Sequence, residues 1–202
     1  MLHLQHHCYY TTLNGECLPK TGRRYIEEET VTGNRESNAL TKESIFTGLL
    51  ELMATKEFAQ ISVTAIAKRA GVSRMAFYRN YQTKEDILKD YLDHLFQQYL
   101  AQMTLEQGDL HALAVGFFQY FRRNQSFLDA LITANLQFLL LPKFTHYLPE
   151  VFRQLLPGSP SPMVIQFDVG GLYQLLVAWA QEGMVRSDEE MAQVVVHFQP
   201  KK

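Results

Sequence analysis

The sequence is poor in cysteine and has no long uninterrupted hydrophobic run. Its two cysteines, Cys8 and Cys17, both lie near the N-terminus, which excludes a disulfide framework and favours a reducing, cytoplasmic location. No apolar run reaches about 18 residues, and the N-terminus lacks a basic start followed by an apolar block. The sequence therefore predicts neither a membrane span nor a secretory signal, and no membrane partner.

Residue patterns of catalysis and metal binding are also missing. No acid–base pair or nucleophile constellation stands out. Three histidines, His3, His6 and His7, lie near the two cysteines, but their spacing matches no standard zinc pattern. We therefore predict no catalytic residue, no metal site and no cofactor, and a protein that is not an enzyme.

The charge is distributed unevenly along the chain. The formal net charge is −2. From Lys56 to Lys89, however, the chain contains seven Lys and Arg residues but only three Asp and Glu residues. From Asp90 to the end it contains seven Lys and Arg residues and eleven Asp and Glu residues. Such asymmetry suggests that a polyanion-binding part is attached to a second, acidic part.

Apolar residues recur at helical spacing in most of the chain. The spacing predicts an all-α protein of about nine helices, with the first three within 39–89 and a long fourth helix that leads into the remainder, 90–202, called here the body. Residues 1–38 have no sustained period and many turn formers, so we predict a mostly disordered leader there. An overlong start assignment for residues 1–30 remains an alternative.

The body is expected to contain four or five further helices. A sixth helix is predicted at 125–141, ended by Pro142, and a seventh at 143–156, which Pro149 begins or kinks. The eighth is predicted at 163–182 and the ninth at 188–198.

A helix-turn-helix pattern surrounds Gly71. Gly71 permits a left-handed turn, Ala67 lets the next helix cross closely, and Val72 fills the angle between the two helices. Ile66 and Phe77 are placed to pack beneath them. Two short helices joined by a glycine turn are typical of units that present their second helix to the major groove of DNA, although such pairs also occur without DNA.

Polar residues around this turn are candidates for DNA contacts. Arg74 is expected to pair with guanine, whereas Tyr78, Arg79 and Lys84 suit phosphates. The full set of expected DNA-binding residues is Ser62, Thr64, Ser73, Arg74, Met75, Tyr78, Arg79 and Lys84.

The run ISVTAIAKRAGVSRMAFYRNYQTKEDIL closely resembles the DNA-binding domain of the TetR family of transcriptional regulators, over about residues 40–90. The resemblance implies a DNA-binding head on an all-helical effector-binding body, acting as a homodimer on a palindromic operator. Two features depart from the family's usual pattern. Met75 stands where a small residue is common, and Arg79 and Asn80 stand where an aromatic or histidine pair is common.

The C-terminal part, with its Gly170-Gly171 pair, looks like a family type in which the last two helices pair with their copies. This resemblance implies a dimer interface that contains Gly170, Gly171, Leu172, Leu175, Trp179 and Val195. Two glycines inside a helix are costly, and close approach across a symmetric interface would account for them. A kink, or packing on the seventh helix, remains an alternative.

Aromatic residues crowd the body, and some of them are candidates for an effector pocket between helices. The candidates are Phe117, Phe121, Phe138, Tyr147, Phe167 and Tyr173. The sequence thus favours a homodimeric repressor that a small apolar or aromatic effector releases from DNA. The alternative is a similar regulator whose body binds a partner protein.

Overall fold

The computed structural model describes residues 25–103, 110–155 and 160–197. These residues form nine α-helices and two short 3-10 helices, with no strand among them, which confirms the all-α prediction. The predicted disorder of residues 1–24 lies outside the described residues. Residues 40–202 belong to one compact unit, and the packing below concerns that unit alone.

Three helices form the head, and the fourth leads into the body. The helices are α1 (Tyr25–Met53), α2 (Val63–Arg69), α3 (Arg74–Asn80), α4 (Lys84–Gln102), α5 (Leu110–Arg123), α6 (Gln125–Thr133), α7 (Leu140–Leu155), α8 (Pro162–Gln181) and α9 (Asp188–His197). The 3-10 helices are Phe58–Gln60 and Gln137–Leu139.

The first helix begins earlier than predicted. Residues 25–38, which we expected to belong to a disordered leader, continue α1 toward the N-terminus. The segment contains no proline, and glutamate and arginine have high helix propensity. The prediction rested on missing apolar periodicity. Apolar periodicity indicates that one face of a helix is buried, and a helix can form without a buried face.

Aromatic side chains fill the core of the body. Phe96, Phe121 and Phe144 are fully buried, and their rings meet at centroid distances of 5.2–6.3 Å. Helix α5 packs on α9, and α7 packs on α8. Burial raises the pKa of Tyr99, whose ring lies against Phe117. Most of the aromatic residues are therefore plain core, as the sequence suggests.

The predicted boundary between the sixth and seventh helices is wrong. Helix α6 ends at Thr133, and Asn135 follows in the left-handed conformation with φ 58°. The Asn135 and Leu136 amides donate to the carbonyls of Ile132 and Leu131, which closes the helix as a Schellman motif. Pro142 then lies in the first turn of α7, where helical N–H groups have no partner within the helix. Pro142 therefore does not end the sixth helix.

Later boundaries agree better with the sequence. Helix α7 runs through Pro149 without interruption. Helix α8 begins one residue before the predicted start, at Pro162, and Ser161 caps it by accepting a hydrogen bond from the Val164 amide. Helix α9 extends to His197 despite its run of three valines.

Helix α8 is long and apolar enough, by length and composition alone, to cross a membrane. The sequence criterion of an uninterrupted apolar run missed this property, because polar residues such as Gln166 and Asp168 interrupt the helix. About a third of the apolar window is buried within the chain, and the core helix of a soluble protein passes the same test.

Candidate nucleic-acid interface

Helices α2 and α3 are joined by a tight turn whose backbone is well defined. Gly71 has φ +68°, which favours glycine. Its amide donates to the Lys68 carbonyl at 3.3 Å, and the Val72 amide donates to the Ala67 carbonyl at 3.0 Å. This is a Schellman motif, and it confirms that Gly71 ends α2 and turns the chain toward α3.

The turn packs closely against α1, and this close contact between the two backbones could not be predicted from the sequence. A Cβ added at Gly48 would lie 3.0 Å from the Ala70 nitrogen and 3.3 Å from the Ala70 Cα. Ile45 and Leu49, which flank Gly48 on α1, are fully buried together with Ile66. Gly48 therefore lets the backbone of α1 touch the end of α2. Its only sequence signal is a glycine inside a strongly periodic helix.

Side chains cap the N-terminal ends of α2, α3 and α4. The hydroxyl oxygen of Ser62 accepts from the Ala65 amide at 3.2 Å, and that of Ser73 accepts from the Ala76 amide at 3.0 Å. Each cap stabilises its helix by about 0.5–2 kcal/mol. The seven-residue α3 is too short to form alone, so its cap and its packing hold it.

The cap of α4 is a reciprocal capping box. The Thr83 amide donates to Asp86 Oδ2 at 2.9 Å, and the Asp86 amide donates to Thr83 Oγ1 at 3.3 Å. Burial by itself raises the pKa of Asp86, but hydrogen bonds from Thr83 and the nearby Lys89 ammonium outweigh it and lower the pKa below its ordinary value. The ionised carboxylate is thus the form that the cap uses.

Helix α3 buries one side chain and exposes four. Phe77 is fully buried, whereas Arg74, Met75, Tyr78 and Arg79 are exposed. At about 100° per residue, the exposed residues follow one another around the helix in the order Arg74, Tyr78, Met75, Arg79. They cover an arc of about 140°, called here the α3 face.

Charge on the α3 face is positive and open to solvent. Among the described residues, neither Arg74 nor Arg79 takes part in an ion pair. Arg69, by contrast, pairs with Glu51 on α1. The predicted DNA-binding residues Ser62 and Thr64 lie on α2 or at its cap, and they are exposed as well.

Lys84 differs from the other predicted phosphate contacts. Its ammonium donates to the carbonyls of Phe58, Ala59 and Ile61, at 2.5, 3.2 and 3.0 Å. It also lies 4.5 Å from the centre of the Phe58 ring. All three ammonium donors are therefore directed at the protein in this structure, where they tie the start of α4 to the segment before α2.

A polar contact fixes the end of α3 to α4. The Tyr81 hydroxyl donates to Asp90 Oδ2 at 2.7 Å, and the Lys42 ammonium donates to the same oxygen at 3.1 Å. Since these residues belong to α1, the end of α3 and α4, the carboxylate of Asp90 joins three elements of the head. It holds α3 in a defined orientation.

Within the part of the chain that the structure describes, the six predicted effector residues lie in different environments. Phe117 and Phe121 are buried in the aromatic core, and Tyr173 is half-buried against Phe144. Phe138 and Phe167 are 59% and 76% exposed.

Tyr147 lies between α4 and α7, where its hydroxyl donates to Asp93 at 3.1 Å. Burial, together with the carboxylate of Asp93, raises the pKa of Tyr147. This tyrosine therefore joins the body to the long helix that leads from the head.

An open groove of about 320 Å³ lies between α7, α8 and α9. Predicted effector and interface residues meet here, because Phe167, Gly171, Leu172, Leu175 and Val195 all line it. A second cavity, of about 40 Å³, lies beside Phe117 and is too small for a ligand of ordinary size.

Trp179, which was expected at the dimer interface, is buried within its own chain. Its side chain is 1% exposed, and its Nε1 donates to the Arg186 carbonyl at 3.0 Å. The guanidinium of Arg122 lies 4.6 Å from the centre of the indole ring. Trp179 thus packs on the inner side of α8, against other parts of its own chain.

The glycine pair of α8 has no packing role within the described residues. A Cβ added at Gly170 or Gly171 would meet no atom within 4 Å. Packing of the pair against α7 therefore does not explain these glycines, and Gly171 is exposed.

Two short capped helices, a left-handed glycine turn and a basic exposed face on the second helix define a helix-turn-helix protein. Residues 45–91 match the family model described as bacterial regulatory proteins, tetR family. The HTH-type transcriptional regulator EthR of Mycolicibacterium smegmatis is 45% identical over 47 residues, which are 23% of this chain and 22% of that relative. The chain thus spans about a fifth of the length of the curated relative it matches.

Solved structures share the fold over most of the chain. A TetR transcriptional regulator from Streptococcus agalactiae 2603V superposes with a TM-score of 0.62 at 18% identity, over 85% of this chain and 99% of that one. The dihydroxyacetone kinase operon activator DhaS superposes with a TM-score of 0.56 at 17% identity, over 78% and 92%. Residues 45–91 thus match the tetR family of bacterial regulatory proteins, and the chain shares the fold of these solved structures.

Proposed function

We propose that the protein is a sequence-specific DNA-binding regulator of transcription, which acts in the cytoplasm as a homodimer on a palindromic operator. The α3 face carries this proposal. It is basic and exposed, and a capped and closely packed head holds it in place. A rigid helix with two unpaired guanidinium groups has the shape and charge that the major groove accepts.

A mobility shift with DNA from upstream of the gene tests the proposal. We expect Arg74→Ala to weaken specific binding by about 1–3 kcal/mol, or roughly 5- to 150-fold, because a bidentate contact to guanine is lost. Arg153→Ala is the matched control, since Arg153 is an exposed arginine of α7 that pairs only with the neighbouring Glu150 among the described residues. Equal affinity of the two variants would remove Arg74 from the set of DNA contacts.

The outer side of α8 supports the homodimer. Phe167 is 76% exposed, and Gly171 and Leu175 follow it at helical spacing along the open groove. Monomeric proteins rarely expose such a continuous apolar strip, and a two-fold axis would bury the same strip of both copies. Two heads held in this way would meet half-sites about 34–36 Å apart.

Sedimentation tests the dimer. Phe167→Asp places a charge in the proposed interface, so we expect the monomer to predominate at concentrations where the unchanged protein is dimeric. Phe138→Asp is the control, because Phe138 is an exposed aromatic residue on a different part of the body. The proposed interface is wrong if both variants remain dimeric.

We further propose that the protein is a repressor and that a small apolar or aromatic effector releases it from DNA by binding in the groove. A volume of about 320 Å³ suits such a ligand, and the second copy would close the groove over it. Binding there would change how the two copies pack and thus the distance between the heads. A ligand that raises the melting temperature and weakens operator binding supports this mechanism, and Leu175→Trp, which fills the groove, should abolish both effects.

The second candidate is a regulator whose body binds a partner protein. Met163, Val164 and Phe167 form an exposed apolar patch at the start of α8, which is an observation that favours a protein surface. Light scattering on protein purified from its natural host distinguishes the two candidates. A mass of two chains supports the homodimer alone, whereas a larger stoichiometric complex supports the partner.

A further inference from the structure

The middle of the α3 face is apolar. Met75 is 78% exposed and Tyr78 is 52% exposed, and these two residues lie between Arg74 and Arg79 around the helix. Met75 contributes almost nothing to the core of its own chain at this exposure. A large exposed apolar side chain on a rigid basic helix is a surface for contact.

The order of residues across the α3 face separates two kinds of DNA contact. The outer positions, Arg74 and Arg79, are cationic: Arg74 suits the electronegative edge of a guanine, and Arg79 suits the phosphates on the wall of the major groove. The central positions face the floor of the groove, where base edges lie. Charge complementarity at the two edges thus aims Met75 at the bases.

The chemistry of the methionine side chain limits what it can recognise. It has no hydrogen-bond donor, and its thioether is only a weak acceptor. The apolar group that base pairs present in the major groove is the C5-methyl of thymine. We propose that Met75, with the Tyr78 ring beside it, reads the methyl group of one thymine in each half-site. This inference rests on the proposed function, because it requires that the protein binds DNA through the α3 face.

Deoxyuridine substitution tests the contact atom by atom. The full chain first selects its operator from a random-sequence duplex library. Each thymine of that operator is then replaced singly by deoxyuridine, which removes only the methyl group, and affinity is measured by fluorescence anisotropy. We expect one thymine per half-site at which the substitution weakens binding about fourfold, the factor that corresponds to burial of one methyl group.

Protein variants complete a double-mutant cycle. With Met75→Ala, the same deoxyuridine should change affinity less than about 1.5-fold, whereas Met75→Leu, which keeps an apolar side chain of similar volume, should retain the sensitivity. Val185→Ala is the control for loss of an exposed apolar side chain, since Val185 is 83% exposed and lies on the body. Because Met75 is so exposed, folding of its variants is expected to be unchanged, and circular dichroism checks this.

The results that overturn the inference are distinct from those that overturn the proposed function. If an operator is selected but no methyl group matters, or if Met75→Ala remains equally sensitive to the same deoxyuridine, the thymine contact is wrong and DNA binding stands. If no sequence is enriched from the library, both are wrong.

Discussion

Gly48 provides the sharpest test of how the head is built. In most helix interiors, replacing glycine by alanine stabilises the protein by about 0.5–1 kcal/mol, because glycine loses more backbone freedom on folding. At Gly48 the added Cβ would lie 3.0 Å from the Ala70 nitrogen and 3.3 Å from its Cα. These are backbone atoms at the end of α2, directly before the glycine turn, and they cannot move aside as a flexible side chain does.

The structure offers a matched control in α5. A Cβ at Gly116 would meet no atom within 4 Å, so Gly116→Ala should gain the full propensity term of about 0.5–1 kcal/mol. Gly48→Ala gains the same term but loses about 1–3 kcal/mol through overpacking. We therefore expect Gly48→Ala to be about 1–3 kcal/mol less stable than Gly116→Ala.

Urea unfolding followed by circular dichroism measures this difference. With a slope of about 2 kcal/mol per molar urea, the midpoints should differ by roughly 0.5–1.5 M. Both variants are compared at one protein concentration, because the proposed dimerisation would couple to stability. Operator affinity should fall with Gly48→Ala and remain unchanged with Gly116→Ala, since only the former moves the turn that carries α3. Equal stabilisation by both substitutions would refute the close approach of α1 to the turn.

Three further predictions follow from contacts in the structure. Lys84→Ala should lower the free energy of unfolding by about 1–3 kcal/mol, because three carbonyls lose their donor; unchanged stability in urea with weaker DNA binding would instead indicate a phosphate contact. Asp86→Asn should destabilise the protein at pH 7. The lowered pKa of Asp86 means that its contribution is present above the ordinary value of 3.8 and is lost as the pH falls through the lowered pKa. The urea midpoints of variant and unchanged protein should therefore approach each other as the pH is lowered through that range. The fluorescence of Trp179, the single tryptophan, should not shift when the proposed dimer is diluted to monomer, and a red shift would show that Trp179 lies at the interface.

Local rules account for the helix caps and the glycine turn of the head. Ser62, Ser73, Thr83 and Gly71 act on backbone groups a few residues away, so their roles as caps and turn can be read from spacing. The same rules failed at Gly48, because its role depends on Ala70, which belongs to another helix. The sequence shows that a glycine is present, but it does not show which other backbone segment packs against that glycine.

The body was harder to predict because more than one residue could end a helix and because periodicity alone does not show which side of a helix is buried. Pro142 looked like a helix end, but Asn135 had already ended α6, and proline is tolerated in a first turn. Trp179 and Leu175 lie four residues apart on α8, yet one is buried and the other lines the groove. Periodicity places residues on a helix, but which side faces the core depends on the neighbouring helices α5, α7 and α9.

Lys84 illustrates a different limit. Its position at the start of α4 suggests a phosphate contact, and its charge fits that role. Only the three-dimensional arrangement reveals that the carbonyls of Phe58, Ala59 and Ile61 converge on its ammonium. Hydrogen bonds to carbonyls distant in sequence leave no pattern that spacing can detect.

The central claim is that the α3 face lies in DNA when the protein binds its operator. Directed cleavage tests it: Met75→Cys is introduced after Cys8 and Cys17, the two natural cysteines, are replaced by serine, and an iron chelate is attached to the new thiol. We predict strand cleavage within both operator half-sites, and none from the same chelate on Val185→Cys of the body. Cleavage from Val185→Cys alone, or from neither position on bound DNA, would contradict the account.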